Sequence, residues 1–94
     1  MRAQRFKSVW DAIETSPAEA GNMKLRSHVL TAIREVVDEW QVTQAVAAKR
    51  LGITQPRLND LMRGKLNKFS LDFLLSAAAR AGLSVRVRIT RPAA

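Results

Sequence analysis

Apolar residues recur along this chain first with a helical period and then with the period of a strand. Phe6, Val9, Trp10 and Ile13 stand at i, i+3, i+4 and i+7, which predicts a short amphipathic helix over about residues 5–14. Ser16, Pro17 and Glu19 have the spacing of an N-cap, a first-turn proline and a capping box, so a second helix start is expected there. Gly21 and Asn22 weaken that segment, and a short turn is expected before a long helix over about 24–41. Its buried face should carry Leu30, Ile33, Val37 and Trp40. Thr43 and Thr54 are placed to cap two shorter helices over about 44–51 and 55–63, with Pro56 tolerated in the first turn of the second and Gly64 ending it. A basic loop, Lys65-Leu66-Asn67-Lys68, follows. Ser70 then caps a last helix from Leu71 to Ala81, closed by Gly82.

Beyond Gly82 the period falls to two. Leu83, Val85, Val87 and Ile89 alternate with Ser84, Arg86, Arg88 and Thr90, which predicts a half-buried strand ended by Pro92. Nothing else in the chain reads as a strand, and a lone strand leaves its backbone hydrogen bonds unmade. The simplest partner is the same strand of a second copy, paired antiparallel about a two-fold axis through Leu83, Val85, Val87 and Ile89. A tail packed on its own helices, or disordered, is the competing reading.

The two short helices carry the functional signal. In QAVAAKRLGITQPRLNDL, Ala48 lies four residues after Gln44 and Gly52 four after Ala48, while Leu58 and Leu61 follow on the next helix. A small residue lets two backbones approach, a glycine makes the corner, and leucines plug the second helix into Ala47, Ala48 and Leu51. This is the helix-turn-helix pattern, whose second helix enters the DNA major groove. At 100° per residue, Leu58 and Leu61 point inward, Pro56, Asn59, Asp60 and Arg63 point outward, and Arg57 flanks them. Gln55 sits in the first turn, aimed along the helix axis. Gln and Asn can bond adenine and Arg can bond guanine, so Gln55, Arg57 and Asn59 are the candidate base readers. Asp60 stays open between accepting from cytosine and pairing with Arg57 or Arg63 one turn away. Thr43 and Gln44 at a helix N-terminus, and Arg63, Lys65, Asn67 and Lys68 beyond the second helix, are candidate phosphate contacts.

Charge strengthens the DNA reading because it is uneven. The chain has 16 Lys and Arg against 8 Asp and Glu, a net +8. Residues 1–40 hold six of each sign, so the whole excess lies in residues 41–94, where only Asp60 and Asp72 are acidic. A basic half around such a motif attracts phosphate backbone. Arg2, Arg5 and Lys7 read as a solvated helix face before they read as a minor-groove arm. Other functions are poorly supported. There is no Cys for a disulfide, thiol nucleophile or thiolate metal site. His28 is a lone histidine, and the chain lacks a Gly-rich phosphate cradle, so no enzyme, metal or cofactor is implied. Without a signal-peptide core or an apolar run near ~20 residues, a cytoplasmic protein with no membrane role is expected. Ninety-four residues make one domain with a small core.

These residues carry a resemblance. TQAVAAKRLGITQPRLNDLMRGK resembles the motif of the phage-repressor (Xre) class of regulators. More narrowly, WDAIETSPAEAGNMKLRSHVLTAIRE, TQPRLNDLMRGK and LDFLLSAAARAGLSVRVRI together resemble small antitoxin regulators of HigA type over about residues 10–89. The resemblance implies a mainly α, lambda-repressor-like helical bundle that represses its own operon as a homodimer on a palindromic operator. Its implied partner is a RelE-like toxin. It maps base readers onto Gln55, Arg57 and Asn59 and phosphate contacts onto Gln44 and the loop after Gly64. Pro56 departs from the pattern, since phage repressors often carry a polar base-contacting side chain there. The expected organisation is an N-terminal helix over 1–15, the helix-turn-helix domain over 16–82, and a dimerisation strand and tail over 83–94. A second class of function stays open, a protein-interaction module whose neutral, Trp-bearing N-terminal half holds a partner.

Overall fold

The computed structural model describes residues 17–91; the helix expected over 5–14, the Ser16 cap and Pro92 lie outside them. Four helices follow in order: α1 Pro17–Trp40, α2 Gln44–Leu51, α3 Gln55–Met62 and α4 Leu71–Arg80, with a 3-10 turn, Leu66–Lys68, between α3 and α4. Each of the three short helices opens on the hydroxyl the sequence placed there. The side-chain oxygen of Thr43 accepts from the Val46 amide, that of Thr54 from Arg57, and that of Ser70 from Phe73. Each such cap is worth about 1 kcal/mol. At its other end α2 closes in a glycine corner. Gly52 has φ +72°, its N–H bonds Lys49 O at 3.1 Å, and the Ile53 N–H reaches back to Ala48 O at 3.0 Å. That paired closure requires a left-handed residue. Gly64 repeats it after α3, with Gly64 N–H on Leu61 O and Lys65 N–H on Asp60 O.

One sequence expectation fails at the start of the fold. No turn occurs at Gly21 and Asn22; α1 runs unbroken for 24 residues, about 36 Å. A mid-helix glycine costs roughly 1 kcal/mol relative to Ala, and contacts elsewhere offset it. Ala20 is buried. Arg26 Nε donates to Asn22 Oδ1 at 2.8 Å, while Arg26 Nη1 donates to Phe69 O at 3.0 Å and Leu66 O at 3.4 Å. The guanidinium therefore splints the weak turn and ties it to the 3-10 segment. At the far end, Gln41 closes α1 in a left-handed conformation, φ +53°, with its amide nitrogen donating to Asp38 O at 2.9 Å.

The core is small and shared by all four helices. Val29, Leu30 and Ile33 of α1 meet Ala47, Ala48 and Leu51 of α2, Leu58 and Leu61 of α3, and Leu74, Ala77 and Ala78 of α4, with Phe69 closing the loop side. α1 packs chiefly on α4, and α2 on α3. Val37 and Trp40, expected on the buried face, are half-buried at its edge. The chain beyond Leu83 leaves this body. Leu83 packs on the core and its N–H bonds Ala78 O, but Val87 is 59% exposed and Ile89 93%. Among the described residues no β-ladder forms. The alternating segment forms no regular secondary structure, and Val85, Val87 and Ile89 along it are exposed. No helix among them is long and apolar enough to cross a membrane.

Candidate nucleic-acid interface

Leu58 and Leu61 are fully buried, which fixes the face that α3 turns outward. On that face Gln55, Pro56, Asn59 and Arg63 are exposed. Gln55 and Asn59 are one turn apart, the spacing at which two side chains project side by side from a helix. Their backbone is held at both ends, by the Thr54 cap and by the Gly64 closure. A polar pair on so fixed a helix can present amide groups to base edges without further ordering.

Arg57 is placed differently from its neighbours. Its guanidinium lies 4.7 Å from the Phe69 ring centroid and 4.6 Å from that of Phe73, and Nη1 donates to Lys68 O at 3.3 Å. The two rings are themselves stacked, 5.3 Å apart. The group that the sequence offered as a base reader is thus engaged in pinning the following turn to α3. Sequence reasoning missed both rings. The signal for Phe69 was present in FSLDFL, where Phe69 before the Ser70 cap and Leu74 four residues after it hold the positions that staple a helix start, with Phe73 one residue short of them.

Asp60 settles on neither partner expected for it. Its carboxylate holds Lys65 Nζ at 3.5 Å on Oδ1 and Lys68 Nζ at 3.4 Å on Oδ2, rather than Arg57 or Arg63. The reason is the Gly64 closure, which folds the chain back over the last turn of α3. Partial desolvation raises the proton affinity of the carboxyl, but the charges and hydrogen bonds of Lys68 and Lys65 outweigh it, and Asp60 titrates below its ordinary 3.8. Both lysines among the candidate phosphate contacts of the loop are therefore ion-paired within the chain. Asn67 beside them is exposed.

The remaining phosphate candidates stand at the start of α2. Thr43 and Gln44 are exposed, with the Thr43 hydroxyl already used on the Val46 amide at 3.2 Å. Gln44 lines an open cleft of about 430 Å³ between the end of α1 and α3, with Asp38, Gln41, Val42 and Met62 beside it. Arg50 lies over the Trp40 ring at 4.9 Å. From Thr43 to Lys68 the chain carries six basic residues and one acidic one, a net +5, with Asp38 of α1 standing beside Gln44. Electrostatics of this sign supply the sequence-independent part of DNA affinity. His28 is exposed, and no group of three or more His, Asp or Glu side chains among the described residues could hold a metal ion.

Two short helices joined by a glycine corner, the second anchored by leucines and offering amides in a basic surround, define a helix-turn-helix DNA-binding domain. Comparison with known proteins reaches the same class. A family model described as a helix-turn-helix domain matches residues 12–90. A solved structure designated an XRE family transcriptional regulator superposes with a TM-score of 0.71 at 30% identity, covering 79% of this chain and 83% of that one. A comparison with curated proteins returned no match. The chain belongs to this helix-turn-helix family and is a DNA-binding transcriptional regulator of XRE type.

Proposed function

We propose that the protein represses transcription as a homodimer that lays two copies of α3 into successive major grooves of a palindromic operator. Gln55 and Asn59 read base edges, and Gln44, Thr43, Arg63, Lys65 and Lys68 meet phosphates. The observation that carries this reading is the rigid, outward pair Gln55 and Asn59 on a capped helix whose opposite face is fully buried. The tail supplies the second copy. Val85, Val87 and Ile89 are exposed and continue the alternation from Leu83, and an antiparallel pairing of two such segments sets these side chains beside one another and pairs one edge of each backbone. In the narrower reading, which rests on the resemblance to HigA-type regulators, the protein is an antitoxin that controls its own operon and a RelE-like toxin is its partner.

The test is a titration of the intact protein on DNA from upstream of its own gene and on a scrambled duplex, with oligomeric state followed by light scattering. Binding to the upstream duplex should exceed scrambled binding by at least ~10³-fold. Removing residues 84–94 should give a monomer and sharply weaker operator binding, since two half-sites ~34 Å apart are then no longer held together. A truncated protein that stays dimeric removes the tail as the interface. Equal affinity for both duplexes removes sequence-specific repression. A co-expressed short neighbouring gene product that neither copurifies with the protein nor is toxic alone removes the antitoxin reading.

A further inference from the structure

The turn after α3 is built like a phosphate site whose place is already taken. Two non-bridging phosphate oxygens can each accept from one lysine, and here the two Asp60 oxygens do so, Oδ1 for Lys65 and Oδ2 for Lys68. The backbone beneath both lysines is fixed. The Lys65 N–H bonds Asp60 O at 3.1 Å, the Lys68 N–H bonds Lys65 O at 3.1 Å, and Lys68 O accepts from Arg57. Only the side chains are free to move. Exposure shows the direction in which they can do so, because the lysine side chains are 41% and 55% exposed while that of Asp60 is 20% exposed. A backbone phosphate approaching from solvent meets the ammonium groups before it meets the carboxylate.

We propose that Asp60 is an internal competitor for DNA phosphate, holding Lys65 and Lys68 when no DNA is bound and lowering the protein's affinity for any duplex. It rests on the DNA-binding reading of α3 and adds a determinant of the balance between sequence-independent and sequence-specific binding. Lysines already neutralised by a carboxylate release fewer counterions on binding. Asp60 therefore subtracts from the part of the affinity common to all sequences, and leaves the contribution of Gln55 and Asn59 as the larger share of what remains.

The experiment compares the intact protein with Asp60→Asn on operator and scrambled duplexes between about 0.05 and 0.2 M salt. Each lysine released to phosphate steepens the log–log salt slope by about 0.9. Over that fourfold salt range, the affinity advantage of Asp60→Asn should shrink by about 3.5-fold if one lysine is released and about 12-fold if both are. The gain at low salt should be equal on the two duplexes. In a Lys65→Gln/Lys68→Gln background, Asp60→Asn should change neither affinity nor slope, and this second comparison does not depend on the stability of the single variant. An unchanged slope for Asp60→Asn overturns the proposal, as does a gain that persists without the lysines. Loss of affinity on the operator alone overturns it in favour of Asp60 reading cytosine. A wild-type protein that binds no duplex at low salt overturns the DNA-binding reading along with the proposal.

Discussion

Replacing Arg57 by Ala tests whether this side chain clamps the fold or reads a base, because one guanidinium cannot do both at once. In the free protein it lies between 4.6 and 4.7 Å from two ring centroids and donates to Lys68 O. A half-buried cation–π contact lies between ~0.5–1 kcal/mol for an exposed site and ~2 for a desolvated one. The two rings share one cation, so their contacts together contribute about 1–1.5 kcal/mol rather than twice that. The hydrogen bond to Lys68 O adds about 0.5–1 kcal/mol. Arg57→Ala should therefore destabilise the fold by roughly 2 kcal/mol, a fall in Tm of about 8–16 °C for a domain of this size. Arg57→Lys keeps the charge but loses the planar group that spans both rings, and should lose about half as much. Thermal melts followed by circular dichroism measure both, and titrations on operator and scrambled duplexes complete the assay. If Arg57 is a clamp, its loss loosens the turn bearing Lys65 and Lys68, so affinity should fall on both duplexes together. An unchanged Tm with a loss confined to the operator would refute the clamp and make Arg57 a base reader that leaves the rings on DNA.

The other predictions concern the corner, a cap and acid. Gly52→Ala forces a Cβ into φ +72° and brings it to 2.8 Å from Arg80 Cζ, whereas at Gly64 the nearest atom is Arg34 Nη1 at 3.5 Å. Both should lose about 1–2 kcal/mol to backbone strain, and because the Arg80 guanidinium is the free end of an exposed side chain that can swing aside, the two variants should melt alike. Thr54→Ala removes the hydroxyl that accepts the Arg57 amide at 3.3 Å; it should cost about 1 kcal/mol in chemical denaturation, and an unaltered midpoint would contradict the cap. Asp60 has a lowered folded pKa, so its contribution is complete above the ordinary 3.8 and fades as pH falls through the lower folded value. Tm measured from about pH 5 to pH 2 should fall less steeply for Asp60→Asn than for the parent.

What the sequence disclosed was local, and what it withheld was long-range. Thr43, Thr54, Ser70 and Gly52 act on atoms within five residues of themselves, so spacing alone places them. The same holds for the leucines of α3, whose burial follows from the helical period. The turn expected at Gly21 was a judgement on local propensity, and it is overridden by Arg26 reaching carbonyls 40 and 43 residues away. Asp60 was sought a partner one turn along a straight helix, but the Gly64 closure brings Lys65 and Lys68 back over it. The alternation of Leu83 to Ile89 is unmistakable as a pattern, yet a ladder needs a second strand, and among the described residues none pairs with it.

The small core and the bare tail together bear on how the proposed repressor would assemble. A single α3 presents too few polar side chains to single out one site among many, so specificity has to come from two half-sites read at once. The tail is a weak link for that purpose. A two-stranded ribbon is marginal in water, and when Val87 of one copy faces Val87 of the other, Arg86 falls directly opposite Arg88 of the second copy. Like charges in that position are destabilising. In the proposed complex, operator DNA would offset this by holding both copies at a fixed separation, which would turn ribbon formation into an intramolecular step. Dimer and operator complex are then linked equilibria, each favouring the other by the same factor. Screening adds a directional consequence. Raising salt weakens the phosphate contacts but relieves the Arg86–Arg88 repulsion, so the free protein should dimerise more tightly at the salt concentrations that release it from DNA.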